Sequence, residues 1–197
     1  MAKQSPTLSP TSCPEGVSLS QWQIRLREQA AKKGGFVIAD IPDKNVPGCF
    51  SVNNAKTRRN YRVIYHGIAS SWNSCDCMDF RTNGLGTCKH IEAVAQWLNS
   101  KGRTPDTKMP RNSSIDVCYI GGRRLRFRPG NTNTEALSMV AMRYFDDDFF
   151  AVPGMVPELP SFIEQAKRFD PRLYVSSDAL SLILDERDSR RRRQLVA

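Results

Sequence analysis

The chain has 197 residues, 40% hydrophobic and 25% charged, with a formal net charge of +9. That length and balance describe one ordinary globular domain or two small ones, and exclude a disordered or fibrous chain. No apolar run reaches bilayer-spanning length, and the first residues, MAKQSPTLSPTSCPEG, lack the apolar core of a signal peptide, so the expectation is no membrane and a cytoplasmic protein, or a nuclear one in a eukaryote.

Residues 1–17 are rich in Pro, Ser and Thr and read as a loose, disordered tail. The segment SLSQWQIRLREQAAKKGG predicts a helix capped by Ser18 or Ser20, with Trp22, Leu26 and Ala30 on one face and Gly34-Gly35 at its end. FVIADI (36–41) predicts a strand and PDKNVPG a turn. CFSVNN (49–54) and NYRVIYHG (60–67) predict two strands joined by the basic loop AKTRR. CKHIEAVAQWLNS (88–100) predicts a helix with Ile91, Val94, Ala95 and Leu98 at helical spacing. The polar stretch 99–114 marks a boundary. Beyond it IDVCYIGGRRLRFRPG predicts a hairpin turning at Gly121-Gly122. TEALSMVAMRYFDDD predicts a helix capped by Thr132 or Thr134, ELPSFIEQAKRF a second, and SSDALSLILDERDSRRRR a third capped by Ser176 or Ser177. The fold class is therefore α+β, with a first domain over 18–103 and an accessory α+β domain over 110–197.

Half of the six cysteines and one of the two histidines fall in SCDCMDFRTNGLGTCKH (74–90). Cys75-x-Cys77 and Cys88-x-His90 supply three thiolates and one imidazole, a set that zinc takes in tetrahedral structural sites. Cys88 precedes a helix and His90 lies in its first turn, where free N–H groups and the dipole favour a thiolate. Gly84 and Gly86 let the intervening loop curve back. The reading is one structural Zn²⁺ with no open coordination position; the bland alternative is four unrelated buried or surface residues.

CDCMDFRTNGLGTCKHIEAV, with Phe80 after the first pair, the CKH triplet, the helix IEAVAQWL and the preceding strand YRVIY, resembles the SWIM zinc finger. The resemblance implies a ββα layout, zinc held by Cys75, Cys77, Cys88 and His90, and binding of DNA or another protein. SWIM modules occur in bacterial Swi/Snf-type ATPases and Mutator-like transposases. The region from IDVCYIGG through DALSLILDERD resembles the stretch between finger and motor in prokaryotic Swi/Snf-type helicase proteins, which implies a partner motor in cis or trans and makes truncation of a longer protein an expectation. No GxxxxGK[ST] loop is present, and DERD (185–188) reads as an acidic helix patch, so the chain alone is not expected to hydrolyse ATP or to be an enzyme. A CDGSH-like iron–sulfur protein is the competing metal reading. It also uses three Cys and one His, but with the histidine four positions after the third cysteine. A protein-interaction adaptor that binds no nucleic acid is the competing functional one.

Charge is uneven: residues 1–110 carry 15 Lys and Arg against 8 Asp and Glu, and residues 111–197 carry 14 against 12. Lys56, Arg58, Arg59 and Arg62, with Tyr61 and Tyr65, suit a phosphate-contacting loop with a stacking aromatic, or an exposed turn whose tyrosines point inward. Arg124, Arg126 and Arg128 line one face of a strand, as a cationic stripe for phosphates or as an ordinary half-buried strand. Arg190 to Arg193 suit a helix C-terminus. His66 reads as a surface or packed histidine, Cys49 and Cys118 as small strand hydrophobes, Cys13 as part of the tail, and Asp146 to Asp148 as an acidic loop or a cation site.

Overall fold

The computed structural model describes residues 7–42, 46–108, 110–131 and 134–196. The chain is mixed α+β and divides into two compact units, one running to Thr107 and including Tyr119–Gly121, the other taking Lys108–Cys118 and the chain from Gly122 onward. Among the described residues no helix is long and apolar enough to cross a membrane.

The first unit opens with α1 (Leu19–Lys33). Ser18 caps it through a capping box: its hydroxyl accepts from Gln21 N–H while the Gln21 side chain accepts from Ser18 N–H. Trp22 and Ala31 are its buried positions, with Leu26 and Ala30 half-buried beside them. The stretch expected to be a loose tail is in part anchored on this helix. Leu8 N–H donates to Gln29, and the Trp22 indole N–H donates to Ser9 O at 3.1 Å, because a buried indole needs an acceptor. Residues 1–6, and 43–45 of the expected turn, lie outside the described residues.

Four antiparallel strands follow in the order β1 (Phe36–Asp40), β2 (Cys49–Asn54), β3 (Arg59–Ile64), β4 (Ser74–Cys75). Alternation assigns the faces. Phe50, Val52, Val63 and Cys75 point inward and meet Ile91, Val94 and Leu98 of α3 (Lys89–Ser100) in one buried cluster. The β2–β3 register pairs Val52 with Tyr61 and Ser51 with Arg62, so inward and outward residues stay matched across the pair.

Between the two ligand pairs, where a glycine-bearing loop was expected, the chain forms a short helix, α2 (Met78–Asn83). Phe80 N–H donates to the Cys77 sulfur, Phe80 is buried as an anchor, and Gly84 ends the helix at φ 67. The Cys77 cap and the left-handed Gly84 are helix boundary signals; the loop reading used Gly84 only as a point of flexibility.

The second unit is built on a three-stranded sheet, β6 (Arg124–Arg128), β5 (Ser114–Cys118), β7 (Tyr174–Val175), in which β5 and β6 are antiparallel and β5 and β7 parallel. Gly121 and Gly122 make the hairpin turn at φ 66 and 129. Ile115, Leu125 and Phe127 pack against Leu137 of α4 (Thr134–Ala141), Phe162 of α5 (Leu159–Phe169) and Ile183 of α6 (Ser177–Val196). Ser176 caps α6, its hydroxyl accepting from Ala179 N–H.

Two expectations are corrected here. Helix α4 stops at Ala141 instead of continuing through Asp148, because Asp146 accepts from the backbone N–H groups of Asp148 and Phe150 and offers the chain a turn in place of helix. The chain after it returns to β6, with bridges Arg126↔Phe150 and Phe145↔Ala151. Thr134 is the first helical residue; Thr132 lies outside the described residues. Strand β7 was not anticipated, and two residues carry no period to read.

Candidate metal centre

Each donor reaches the site for a local reason. Cys75 ends β4, held against β3 by the pairing Val63↔Cys75. Cys77 is the N-cap of α2 and Cys88 the N-cap of α3. His90 is the second residue of α3, in its first turn. Helix α2 is fixed from outside by a two-point ion pair: Arg27 of α1 reaches Asp79 at 2.6 Å and 3.1 Å. Asn83 then donates to both Asp79 and Thr87 O, tying the end of α2 to the residue before Cys88. On the other side of Cys88, the Thr87 hydroxyl donates to the buried Glu92 carboxylate at 2.6 Å.

The result is a closed group. Cys75, Cys77, Cys88 and His90 are 5%, 5%, 0% and 1% exposed, and their ligand atoms lie within 4.8 Å of one another. Cys75 Sγ and His90 Nδ1 are 3.7 Å apart. Four ligands around one ion, at about 2.3 Å for sulfur and about 2.0 Å for nitrogen, give tetrahedron edges of about 3.5–3.8 Å. The group can therefore hold a metal ion.

The electrostatics point the same way. Hydrogen bonds from Cys75 and then Cys88 hold the Cys77 thiol well below the ordinary thiol range. Cys75 is pushed up by its hydrogen bonds with Cys77 and Cys88 and by burial. Cys88 is pushed up to about 12: its hydrogen bond with Cys75 lowers it, but the bond to Cys77, burial and the Cys77 charge together outweigh that. A bound divalent cation supplies the charge that lets all three ionise.

His90 is oriented by rings. Tyr61 stacks on it with centroids 3.9 Å apart and 21° between planes, and Phe36 meets it edge-on at 5.2 Å. Its Nε2 is buried with no hydrogen-bond partner. The sequence reading missed Phe36, Arg27, Asp79 and Glu92. For Tyr61 the structure takes the inward one of the two readings the sequence offered and adds its contact with His90.

The other singled-out residues are placed as follows. Lys56, Arg58, Arg59 and Arg62 are exposed on and beside the β2–β3 turn, and Tyr65 is buried. Arg62 Nε donates to Cys49 Sγ at 3.1 Å. The expected stripe on β6 does not present three cations to solvent. Arg126 is only 7% exposed, opposite Asp116 in register, and Arg128 is half-buried. Arg124 is exposed, with its guanidinium 3.7 Å from the Phe150 ring centroid. The return of Phe150 beside Arg126 accounts for the difference. His66 is buried and its Nδ1 meets Asp106 O at 2.7 Å. Asp146 is engaged by its own turn, and Arg190 pairs with Glu158 at 2.7 Å. Cys13 donates to Val17 O, and Cys49 and Cys118 are buried.

Comparison with known protein families, curated proteins and solved structures finds no match.

Proposed function

We propose that the first unit is a SWIM-like zinc module, that the zinc is structural, and that the module works without enzymatic chemistry by presenting a basic surface to DNA. The observation that carries the metal part is the gathering of Cys75, Cys77, Cys88 and His90 into one buried group whose ligand atoms lie within 4.8 Å of one another, Cys75 Sγ and His90 Nδ1 being 3.7 Å apart. Zinc is favoured because three thiolates and an imidazole match its donor preference and because four protein ligands leave no open position. A two-iron cluster divides its ligands between two irons and needs them spread wider than the ligands of one ion. When bound, the ion offsets two of the three thiolate charges and staples β4, α2 and α3 together. The resemblance to SWIM fingers and to the accessory region of Swi/Snf-type helicase proteins supports a DNA partner and a motor acting in cis or trans.

The test is metal analysis by mass spectrometry, with an absorption spectrum, on the purified chain. One zinc per chain in a colourless sample is expected. Iron with sulfide and a visible band would replace the zinc assignment with a cluster protein, and a folded, metal-free first unit would remove it altogether. Titration with a DNA duplex at falling salt tests the partner, since phosphate binding strengthens steeply as salt falls; no binding at low salt would favour the adaptor reading.

A further inference from the structure

We infer that the turn joining β2 to β3 grips the phosphate backbone of double-stranded DNA. The inference rests on the DNA reading above and narrows it to one hairpin. Residues 44–75 contain five cations (Lys44, Lys56, Arg58, Arg59 and Arg62) and no Asp or Glu. Three of the five crowd the turn. Residues 55–60 are all exposed, and none of the ion pairs among the described residues uses Lys56, Arg58 or Arg59.

The backbone of this turn adds a second observation. Arg58 N–H donates to Asn54 O at 2.8 Å, and the Asn54 side chain accepts from Lys56 N–H and Thr57 N–H. This construction leaves Arg58 at φ 55. Among the described non-glycine residues, only Phe149 shares that left-handed region. Glycine occupies such a position without steric cost, and a β-carbon there is a strain the rest of the fold must carry. Phe149 has a packing reason, since its ring lies 6.2 Å from Phe127 in the second core. Arg58 is exposed and in none of those ion pairs, which leaves its guanidinium available to a contact outside the chain.

The chemistry of that contact follows from charge and shape. Clustered cations with no interleaved acid fit a polyanion. A single strand is bound by cations together with aromatic faces on which bases stack, and none is available here: Tyr61 is stacked on His90 and Tyr65 is buried. The exposed turn at the end of this sheet can enter the wide major groove that B-form DNA offers between its phosphate strands, whereas the deep, narrow A-form groove of duplex RNA excludes side chains.

The experiment is a fluorescence titration of a labelled mixed-sequence DNA duplex with the full chain over a range of salt. It uses a triple variant (Lys56→Gln, Arg58→Gly, Arg59→Gln) and a charge-matched control (Lys32→Gln, Lys33→Gln, Lys101→Gln). Losing three phosphate contacts should lower the log–log salt slope by about 2.7, so the wild-type advantage over the triple variant shrinks about 40-fold between roughly 50 and 200 mM salt. Arg58→Gly alone should bind more weakly while its melting temperature holds or rises, which separates binding from folding. Wild-type affinity and slope in the triple variant, with the wild type binding normally, would overturn the hairpin assignment and leave the DNA reading standing. An equal loss in the control would reduce the effect to bulk charge and overturn it too. No binding by the wild type at low salt would remove the DNA reading itself. Tighter binding to a single strand or to duplex RNA would overturn the choice of ligand.

Discussion

The imidazole of His90 lies face to face with the phenol ring of Tyr61, 3.9 Å between centroids and 21° between planes. Metal-binding histidines are usually aimed by a hydrogen bond from their second ring nitrogen. In this chain that nitrogen, Nε2, has no partner, so orientation falls to the stacked Tyr61 and the edge of Phe36. Tyr61→Ala should therefore weaken zinc binding by about 10-fold, the lower end of what outer-shell substitutions cost. Tyr61→Phe should keep it, because the ring and not the hydroxyl does the positioning. Competition against a coloured chelator measures both; wild-type affinity in Tyr61→Ala would show that the helix alone aims the ligand.

Two buried clusters divide the chain, and only one contains the metal group. Cys75, Cys77 and Cys88 are themselves members of the cluster with Phe50, Val63 and Leu98, while Phe127, Phe162 and Ile183 belong to the other. Removing the ion leaves buried thiols that must reprotonate, so chelation should unfold the first unit and spare the second. Amide exchange on the intact chain reads this directly: Val63 and Leu98 should lose protection and Phe127 and Ile183 keep it. Cys88→Ser should reproduce the pattern, with a loss of metal affinity beyond the ~10–100-fold typical of an outer-shell change. A full equivalent of zinc retained in Cys88→Ser would remove Cys88 from the ligand set.

The ligand group was legible in the sequence because rare donors at paired spacing carry their own meaning. Helices α1 and α6 were legible in part from the caps Ser18 and Ser176, and α3 from the 3.6-residue period of Ile91, Val94 and Leu98, which agrees with burial. What escaped was decided by contacts distant in sequence. Arg27 meets Asp79 across 52 residues, and no local pattern announces it. Arg126 alternates like an outward residue but is covered by the returning Phe150. Helix α4 is shortened by a side chain, Asp146, that competes for backbone N–H groups.

Asp170 shows a similar long-range tie in the second unit. It is 2% exposed, its carboxylate accepts from Ser113 N–H at the head of β5 and from Arg172 N–H, and it follows the last residue of α5. Ser113 in turn accepts, through its hydroxyl, from Gly130 N–H after β6. Asp170→Ala leaves the buried Ser113 N–H without its acceptor, at a cost of about 1–3 kcal/mol. Urea unfolding followed by a probe in the second unit should register the loss, and Asp170→Asn should recover part of it. An Asp170→Ala chain as stable as wild type would mean water replaces the carboxylate.

Asp116 makes the stability of the second unit depend on pH. Burial pushes its carboxyl above the ordinary value of 3.8, against the opposing pull of the Ser114 hydroxyl, Arg128 and Arg126. The folded state therefore keeps this proton after the unfolded chain has lost it. The contribution is fully present below the unfolded value of 3.8 and is lost as pH rises through the higher folded value. Asp116→Asn carries no such proton. Its stability relative to wild type should rise from about pH 4 upward, by at most about 1.4 kcal/mol per pH unit, and level off once the wild-type carboxyl has ionised. Denaturation at a series of pH values, followed through the amides of Ile115 and Phe127, measures the difference. If wild type instead gains on Asp116→Asn as pH rises, the pairing with Arg126 and Arg128 outweighs burial, and the two arginines are held in place by a carboxylate rather than by a neutral acid.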